Sequence, residues 1–383
     1  MASSTAPRTV ITVSGPTLSR RQLNRSVLAR QLLLERDVLD IPACLQHVGG
    51  LQTQYAPSGY IGTWSRLREF ERASLTRALE DRSVVQATLM RMTIHMVAAD
   101  DFWTLCAGVR ASRREWWLRI AKSRKLPTIS YDDLAESLRA ALADGPLPRV
   151  ELVAAMERAG FAKPFWEPAG LWLDMVRVPP SGTWDRRRAD RYGLADQWIV
   201  PPRAEQAVEE NAKEGAKEGA KEGAKEGEGL RLLLTRYLQA FGPAAVADAA
   251  NWAGVPRARL EPVAAAMELV TYRDERGSAL VDLPGMELPD AGTPPPVRFL
   301  PTWDATLLAH CRRADILPEA FRTAIFHTKI PQLVGTVLVD GSVAATWTWR
   351  DDHVEVDELA KLTAAQRRAV AREADQLTAF YRG

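Results

Sequence analysis

The sequence predicts an α+β protein made of three tandem winged-helix units, closed by a C-terminal β-rich segment and a terminal helix. Two observations point there. Blocks of helical apolar spacing alternate with short β-rich runs rather than long strands. Two helix pairs, each broken at a Gly-Pro step (Gly145-Pro146 and Gly242-Pro243), both lead into a short hairpin signal. Self-similarity at a spacing of about 100 residues marks a tandem array rather than a solenoid.

Residues 1–16 read as a disordered lead-in and 17–130 as the first unit. Leu18, Leu23, Val27, Leu28, Leu32 and Leu34 space a helix over Thr17–Leu39. A second helix, Pro42–Val48, stops at Gly49-Gly50. Pro57 interrupts the chain beyond that stop, so further helices are expected at Thr63–Ala73 and Ser74–Glu80. The alternation Arg91-Met92-Thr93-Ile94-His95-Met96-Val97 supplies a half-buried strand. The second unit, 131–211, carries helices Asp132–Ala143 and Arg149–Ala159 and extended runs Trp172–Val178 and Arg191–Val200. A loop with Arg186-Arg187-Arg188 near its tip joins those runs.

Residues 212–229 hold an Ala-Lys-Glu-Gly repeat. Gly in a helix costs about 1 kcal/mol, so a frayed, solvated linker is expected. The third unit, 230–292, has helices Leu230–Ala240, Ala245–Ala253 and Pro256–Glu268, then a hairpin turning at Asp274–Gly277. In 293–383, Asp340-Gly341 separates two β-rich runs of Val334–Trp349, and Thr363 caps a final helix to Tyr381.

Composition excludes several classes. The 383 residues are 46% hydrophobic and 26% charged, enough for two to four ordinary globular domains. No window approaches ~18 consecutive apolar residues, so no membrane association is expected. The first 16 residues lack an apolar signal core, and the three cysteines are widely spaced. A reducing cytoplasm is therefore expected, with no disulfide scaffold. Five scattered histidines give no metal-ligand spacing, and neither a nucleophile elbow nor a phosphate loop is present. No metal or organic cofactor is expected.

Charge is uneven. Residues 1–130 carry 19 Lys and Arg against 10 Asp and Glu. Such an excess suits a polyanionic partner; solvated helix faces would give the same count.

Gln52-Thr53-Gln54 is the feature that carries chemistry. In an extended chain, residues i and i+2 project to one side, so two carboxamides converge. Glutamine does not titrate, so neither is a general base. Each can still orient a water, which suffices when the leaving group departs readily. An N7-alkylated purine is such a group, because it is already cationic. A Gln-x-Gln is also a common tripeptide at helix ends.

The wider context narrows this. Gly50-Leu51-Gln52-Thr53-Gln54, Pro57, Tyr60–Leu67, Arg91–His95, Phe102-Trp103, Leu300–Asp304, Val337–Gly341 and Thr346-Trp347 occur in order. Together they resemble the AlkZ-like family of winged-helix DNA glycosylases. The resemblance implies a C-shaped arrangement of the three units around a concave basic surface. It also implies removal of bulky N7-alkylguanines, unhooking of interstrand crosslinks, and in some members self-resistance to alkylating antibiotics. The family's catalytic pair falls on Gln52 and Gln54. A related branch has Asp at the second position, so Gln54 places this chain in the first.

The expected partner is double-stranded DNA carrying alkylated purines or crosslinks, bound by a nucleoid-associated monomer. Candidate DNA contacts are Arg91, Thr93 and His95, which otherwise form a polar sheet face. A basic helix offers Arg110, Arg113, Arg114, Arg119, Lys122, Arg124 and Lys125 for phosphates. Arg186, Arg187 and Arg188 suit a wing at the backbone or minor groove. His327 and Lys329 are placed near DNA in a closed complex. Trp116 and Trp117 read as core. The rival reading is a non-enzymatic winged-helix transcription regulator; a third is a protein that merely grips drug–DNA adducts.

Overall fold

The computed structural model describes residues 15–199, 215–308, 314–326 and 334–383. It is a mixed α+β protein. Thr17–Leu18 (β1) is a short strand, not the start of a helix. Helix α1 (Arg20–Arg30) begins where the Ser19 side chain accepts from the Gln22 N–H. It stops well before Leu39 because Leu32 turns left-handed (φ 55°) and the Leu33 N–H reaches back to the Leu28 carbonyl. Both leucines are buried, which holds a conformation that leucine otherwise avoids.

Helix α2 (Ile41–Val48) is capped by Asp40 and ended by left-handed Gly49. After β2 (Leu51–Gln52), α3 (Ala56–Trp64) carries Pro57 in its first turn. The proline starts this helix rather than interrupting it, since a first-turn residue needs no N–H. Helix α4 (Arg72–Glu80) comes after it. The Val84–Val97 stretch is a hairpin, β3 (Val84–Thr88) and β4 (Ile94–Ala98), turned through Arg91 (φ 52°) and Met92 (φ 59°). Arg91 and Thr93 therefore lie in the turn, not on a strand face with His95. The long helix α5 (Ala99–Ser123) comes next.

The second helix pair is α6 (Tyr131–Ala141) and α7 (Arg149–Arg158), separated by β5 (Leu147–Pro148). A single turn, α8 (Ala169–Trp172), leads to β6 (Met175–Arg177) and, beyond the Arg186–Arg188 loop, β7 (Arg191–Leu194) and α9 (Ala195–Trp198). The hairpins of the first two units do not stand apart. Gln86 pairs with Arg177, fusing them into one six-stranded sheet of order β2-β4-β3-β6-β7-β5.

The Ala-Lys-Glu-Gly stretch departs from expectation. From Gly215 it is helical and runs without a break into the expected Leu230 helix, giving α10 (Gly215–Phe241). The helix packs on α5 at a Gly–Gly crossing. A Cβ on Gly229 would lie 2.5 Å from the Thr104 carbonyl oxygen, and one on Gly108 would lie 2.6 Å from the Gly229 carbonyl carbon. Tertiary packing there outweighs the low intrinsic propensity of glycine.

Helices α11 (Val246–Ala253) and α12 (Arg257–Ala265) precede the hairpin β8 (Val270–Asp274) and β9 (Ala279–Asp282), which β1 joins in parallel. The last segment holds β10 (Arg298–Leu300), short turns α13 (Ala305–Leu308) and α14 (Arg322–Ile325), and strands β11 (Gly335–Val339), β12 (Ser342–Arg350) and β13 (His353–Glu358). Strands β10 to β13 form one antiparallel sheet in chain order. Asp340 and Gly341 both take positive φ, as a two-residue hairpin needs. Helix α15 (Ala364–Arg382) opens with a full Thr363–Gln366 capping box.

The cores cross the unit boundaries. One runs from Val27 and Leu28 through Phe102 and Leu105 to Leu234, Tyr237, Trp252 and Leu338. A second joins Leu45, Tyr60 and Leu75 to Phe299, Trp347 and Leu377. The second unit keeps its own, around Leu134, Leu138, Leu152 and Phe165, with Trp117 from α5. Among the described residues no helix is long and apolar enough to cross a membrane.

The positive excess of the first 130 residues is largely internal. Eight of its arginines pair with carboxylates from beyond residue 130: Arg20, Arg21, Arg25, Arg30, Arg36, Arg66, Arg110 and Arg124. The pairs Arg30–Asp282 and Arg66–Asp304 are almost fully buried. Much of the charge counted in sequence therefore ties segments together instead of projecting a field.

Candidate active site

Gly49 and Gly50, both at positive φ, swing the chain from α2 onto the sheet edge. A Cβ on Gly50 would lie 2.9 Å from Val97 Cγ1, so a side chain there would hold β2 away from β4. With glycine the strand docks, and Gln52 sits opposite His95. Thr53 turns into the core, fully buried, while Gln52 and Gln54 project together on the other side.

The two carboxamides converge. Gln52 Nε2 donates to Gln54 Oε1 at 2.5 Å, and Arg91 Nη2 donates to Gln52 Oε1 at 2.8 Å. A guanidinium has donors only, so it fixes which end of the Gln52 amide faces it. The Gln52 N–H must then point at Gln54 and meet its oxygen. Orientation passes from Arg91 through Gln52 to Gln54. Gln52 is 5% exposed whereas Gln54 is open to solvent. Arg91 is itself held by donating to the Trp252 carbonyl.

Burial sets the protonation states. His95 is 2% exposed and its Nδ1 donates to the Thr93 carbonyl at 3.0 Å. Desolvation first, then the Arg91 and Arg113 charges, push its pKa down to about 3, so the ring is neutral at pH 7. Desolvation lowers Arg91 to about 10, still a cation. Cys44 and Cys106 are pushed up to about 12 by burial, which leaves both thiols unreactive. Among the described residues no group of three His, Cys, Asp or Glu is placed to hold a metal.

The remaining candidates divide. Arg113 is 5% exposed and bonds the Thr88 carbonyl, so it has no path to a phosphate. Arg110 forms two bonds to Asp174, and Arg114 bonds the Leu171 carbonyl and lies over Trp172. Arg124 pairs with Glu167. Arg119, Lys122 and Lys125 are exposed near the end of α5. Trp117 is core, its Nε1 donating to the Tyr131 hydroxyl, whereas Trp116 is 37% exposed. Arg186, Arg187 and Arg188 are all exposed. Arg187 lies over Trp184 and its Nη1 is 3.4 Å from the Tyr55 hydroxyl, which brings this loop from the second unit beside Gln54. His327 and Lys329 lie outside the described residues.

Residues with no assigned role in sequence also stand here. Tyr55, the residue after Gln54, edges a cleft of about 450 Å³ together with Trp303, Trp349 and Tyr381. Thr302-Trp303-Asp304 is visible as a motif, but the contact of Thr302 with Ser58 is not: no local pattern spans 244 positions of chain.

A family model described as DNA glycosylase AlkZ-like matches residues 45–380. The chain belongs to the AlkZ-like DNA glycosylase family. Membership bears out the resemblance read from the motifs and favours a glycosylase over a non-enzymatic regulator. The solved DNA glycosylase AlkZ from Streptomyces sahachiroi is similar in fold, with a TM-score of 0.76 at 19% identity, over 95% of this chain and 97% of that one. No curated protein sequence matches.

Proposed function

We propose that this AlkZ-like protein hydrolyses the N-glycosidic bond of bulky N7-alkylated purines, crosslinked ones included, as a monofunctional glycosylase. The observation that carries the reading is the hydrogen-bonded chain Arg91–Gln52–Gln54, which fixes the two carboxamides on one side of the chain, where they can hold a water. N7 alkylation makes the purine cationic, so the C1′–N9 bond breaks with its electron pair passing to N9. The water oxygen then bonds C1′ and its proton goes to solvent. Catalysis here is positioning more than proton abstraction. The Arg91 charge opposes a developing sugar cation, so its part is to orient Gln52.

Three helix–hairpin units, read as winged helices around a concave basic surface, would carry the duplex. Among the basic residues read from sequence as DNA contacts, Arg186, Arg187, Arg188, Arg119, Lys122 and Lys125 are exposed and suit phosphates. A crosslinked base cannot swing freely out of the duplex, which favours an open site such as the exposed side of Gln54. A role in DNA repair or in self-protection from an alkylating natural product fits this chemistry, at the nucleoid and with the protein as a monomer.

The test is excision of 7-methylguanine from duplex DNA, read as alkali-labile breaks. Gln52→Ala and Gln54→Ala are each expected to lower single-turnover excision by about a hundredfold or more, the scale of losing an oriented hydrogen-bonding group. Full activity in both variants refutes the assignment.

A further inference from the structure

A cleft that opens at Tyr55, the residue after Gln54, has neither Gln52 nor Gln54 in its lining. Its walls are aromatic: Tyr55 is 42% exposed, Trp303 is half-buried, and Trp349 stacks on Tyr381 at 4.2 Å and 12°. Arg187 is its only charged lining residue among the described ones. At about 450 Å³ the cleft falls in the range of small-molecule sites, roughly 300–1,000 Å³. A methyl group would leave it nearly empty.

Trp303 is held against its backbone preference. Its φ of 67° is left-handed, costly for a bulky residue. Its neighbours enforce it: Asp304 is locked by the buried Arg66 guanidinium, and the Thr302 hydroxyl shares a 2.8 Å hydrogen bond with Ser58 on α3. Strain of this kind persists only where surrounding structure over-determines it, and ligand clamps are a common setting.

We infer that this cleft is the subsite for a planar aromatic group carried on the purine N7, and that Trp303 and Tyr55 set its preference. The inference rests on the glycosylase reading, because it places the reacting purine at Gln54 and its substituent beyond Tyr55. Aromatic walls select flat rings by stacking, and the Arg187 cation favours a neutral or anionic ring over a cationic one.

Binding is measured on two duplexes, each carrying a 2′-fluorinated nucleotide that resists hydrolysis. One holds 7-methylguanine and the other 7-(2-naphthylmethyl)guanine. The wild-type protein is expected to favour the naphthylmethyl duplex by about tenfold or more, the scale of one stacked ring. Trp303→Gly suits the left-handed backbone, and Tyr55→Ser places a good N-cap residue at the start of α3. Each is expected to cut that preference by about tenfold. A wild-type protein that binds both duplexes equally overturns the inference, as do variants that weaken both to the same degree. Since no bond is cleaved, this outcome is separate from the Gln52→Ala and Gln54→Ala excision test, whose failure would strike the glycosylase reading itself.

Discussion

Arg91 ties the proposed catalytic pair to the rest of the fold. It lies in a strained turn, yet its two guanidinium nitrogens reach Trp252 and Gln52 and so settle the direction of both amides. Arg91→Met is expected to lower kcat for 7-methylguanine excision by about ten- to a hundredfold with KM little changed, and Arg91→Lys to restore only part, because an ammonium lacks the rigid fork. A change confined to KM would count against the positioning role. With His95 near 3 and Arg91 near 10, neither of these two described neighbours of the Gln pair titrates from about pH 5 to 8, so single-turnover rates should be flat there. Stability should not be. Between pH 6.5 and 3 the unfolded chain protonates this histidine and the native state does not, so stability falls as pH falls through that window. Each unit of separation amounts to about 1.4 kcal/mol. His95→Gln should flatten the acid side of a Tm-against-pH profile; an unchanged slope would place the acid sensitivity elsewhere.

At the scale of elements, the glycines of α10 are not equivalent. Gly223 and Gly227 face open space, whereas Gly229 touches α5 backbone. Gly223→Ala should therefore stabilise by about 0.5–1 kcal/mol, the ordinary helix-propensity difference. Gly229→Ala should destabilise by about 1–3 kcal/mol by forcing the two helices apart. Urea midpoints on the two variants decide this; shifts of the same sign would deny the Gly108–Gly229 crossing. Its glycines make the repeat read as a frayed linker, and which glycine meets a neighbour depends on where α5 lies. The same holds for α3: Pro57 fits a helix start as well as a break, and the burial of Tyr60, Ile61 and Trp64 behind it fixes the first.

At the scale of the molecule, buried ion pairs join distant parts of the chain. Arg66 on the turn after α3 and Asp304 after β10 are both sealed from solvent. Asp304→Ala strands a buried guanidinium and should cost about 3–5 kcal/mol, whereas Arg66→Met with Asp304→Leu should recover most of it. A denaturation cycle on Arg66→Met, Asp304→Leu and their double variant tests this, and additive losses would mean that the two residues do not act as a pair. The pair also supports Trp303, so the aromatic cleft depends on a contact between chain thirds.

The sequence by itself determined the family, the helix start at Thr363, the Asp340-Gly341 hairpin and the convergence of Gln52 with Gln54. Caps, two-residue turns and the two-residue strand period are local rules, written in neighbouring side chains. The joining of the first two hairpins into one sheet, the fate of the arginines and the aromatic cleft were decided only by the tertiary structure. An arginine on a pattern is the same whether it meets a phosphate or a buried aspartate 200 residues away, and burial against a particular partner is what separates the two.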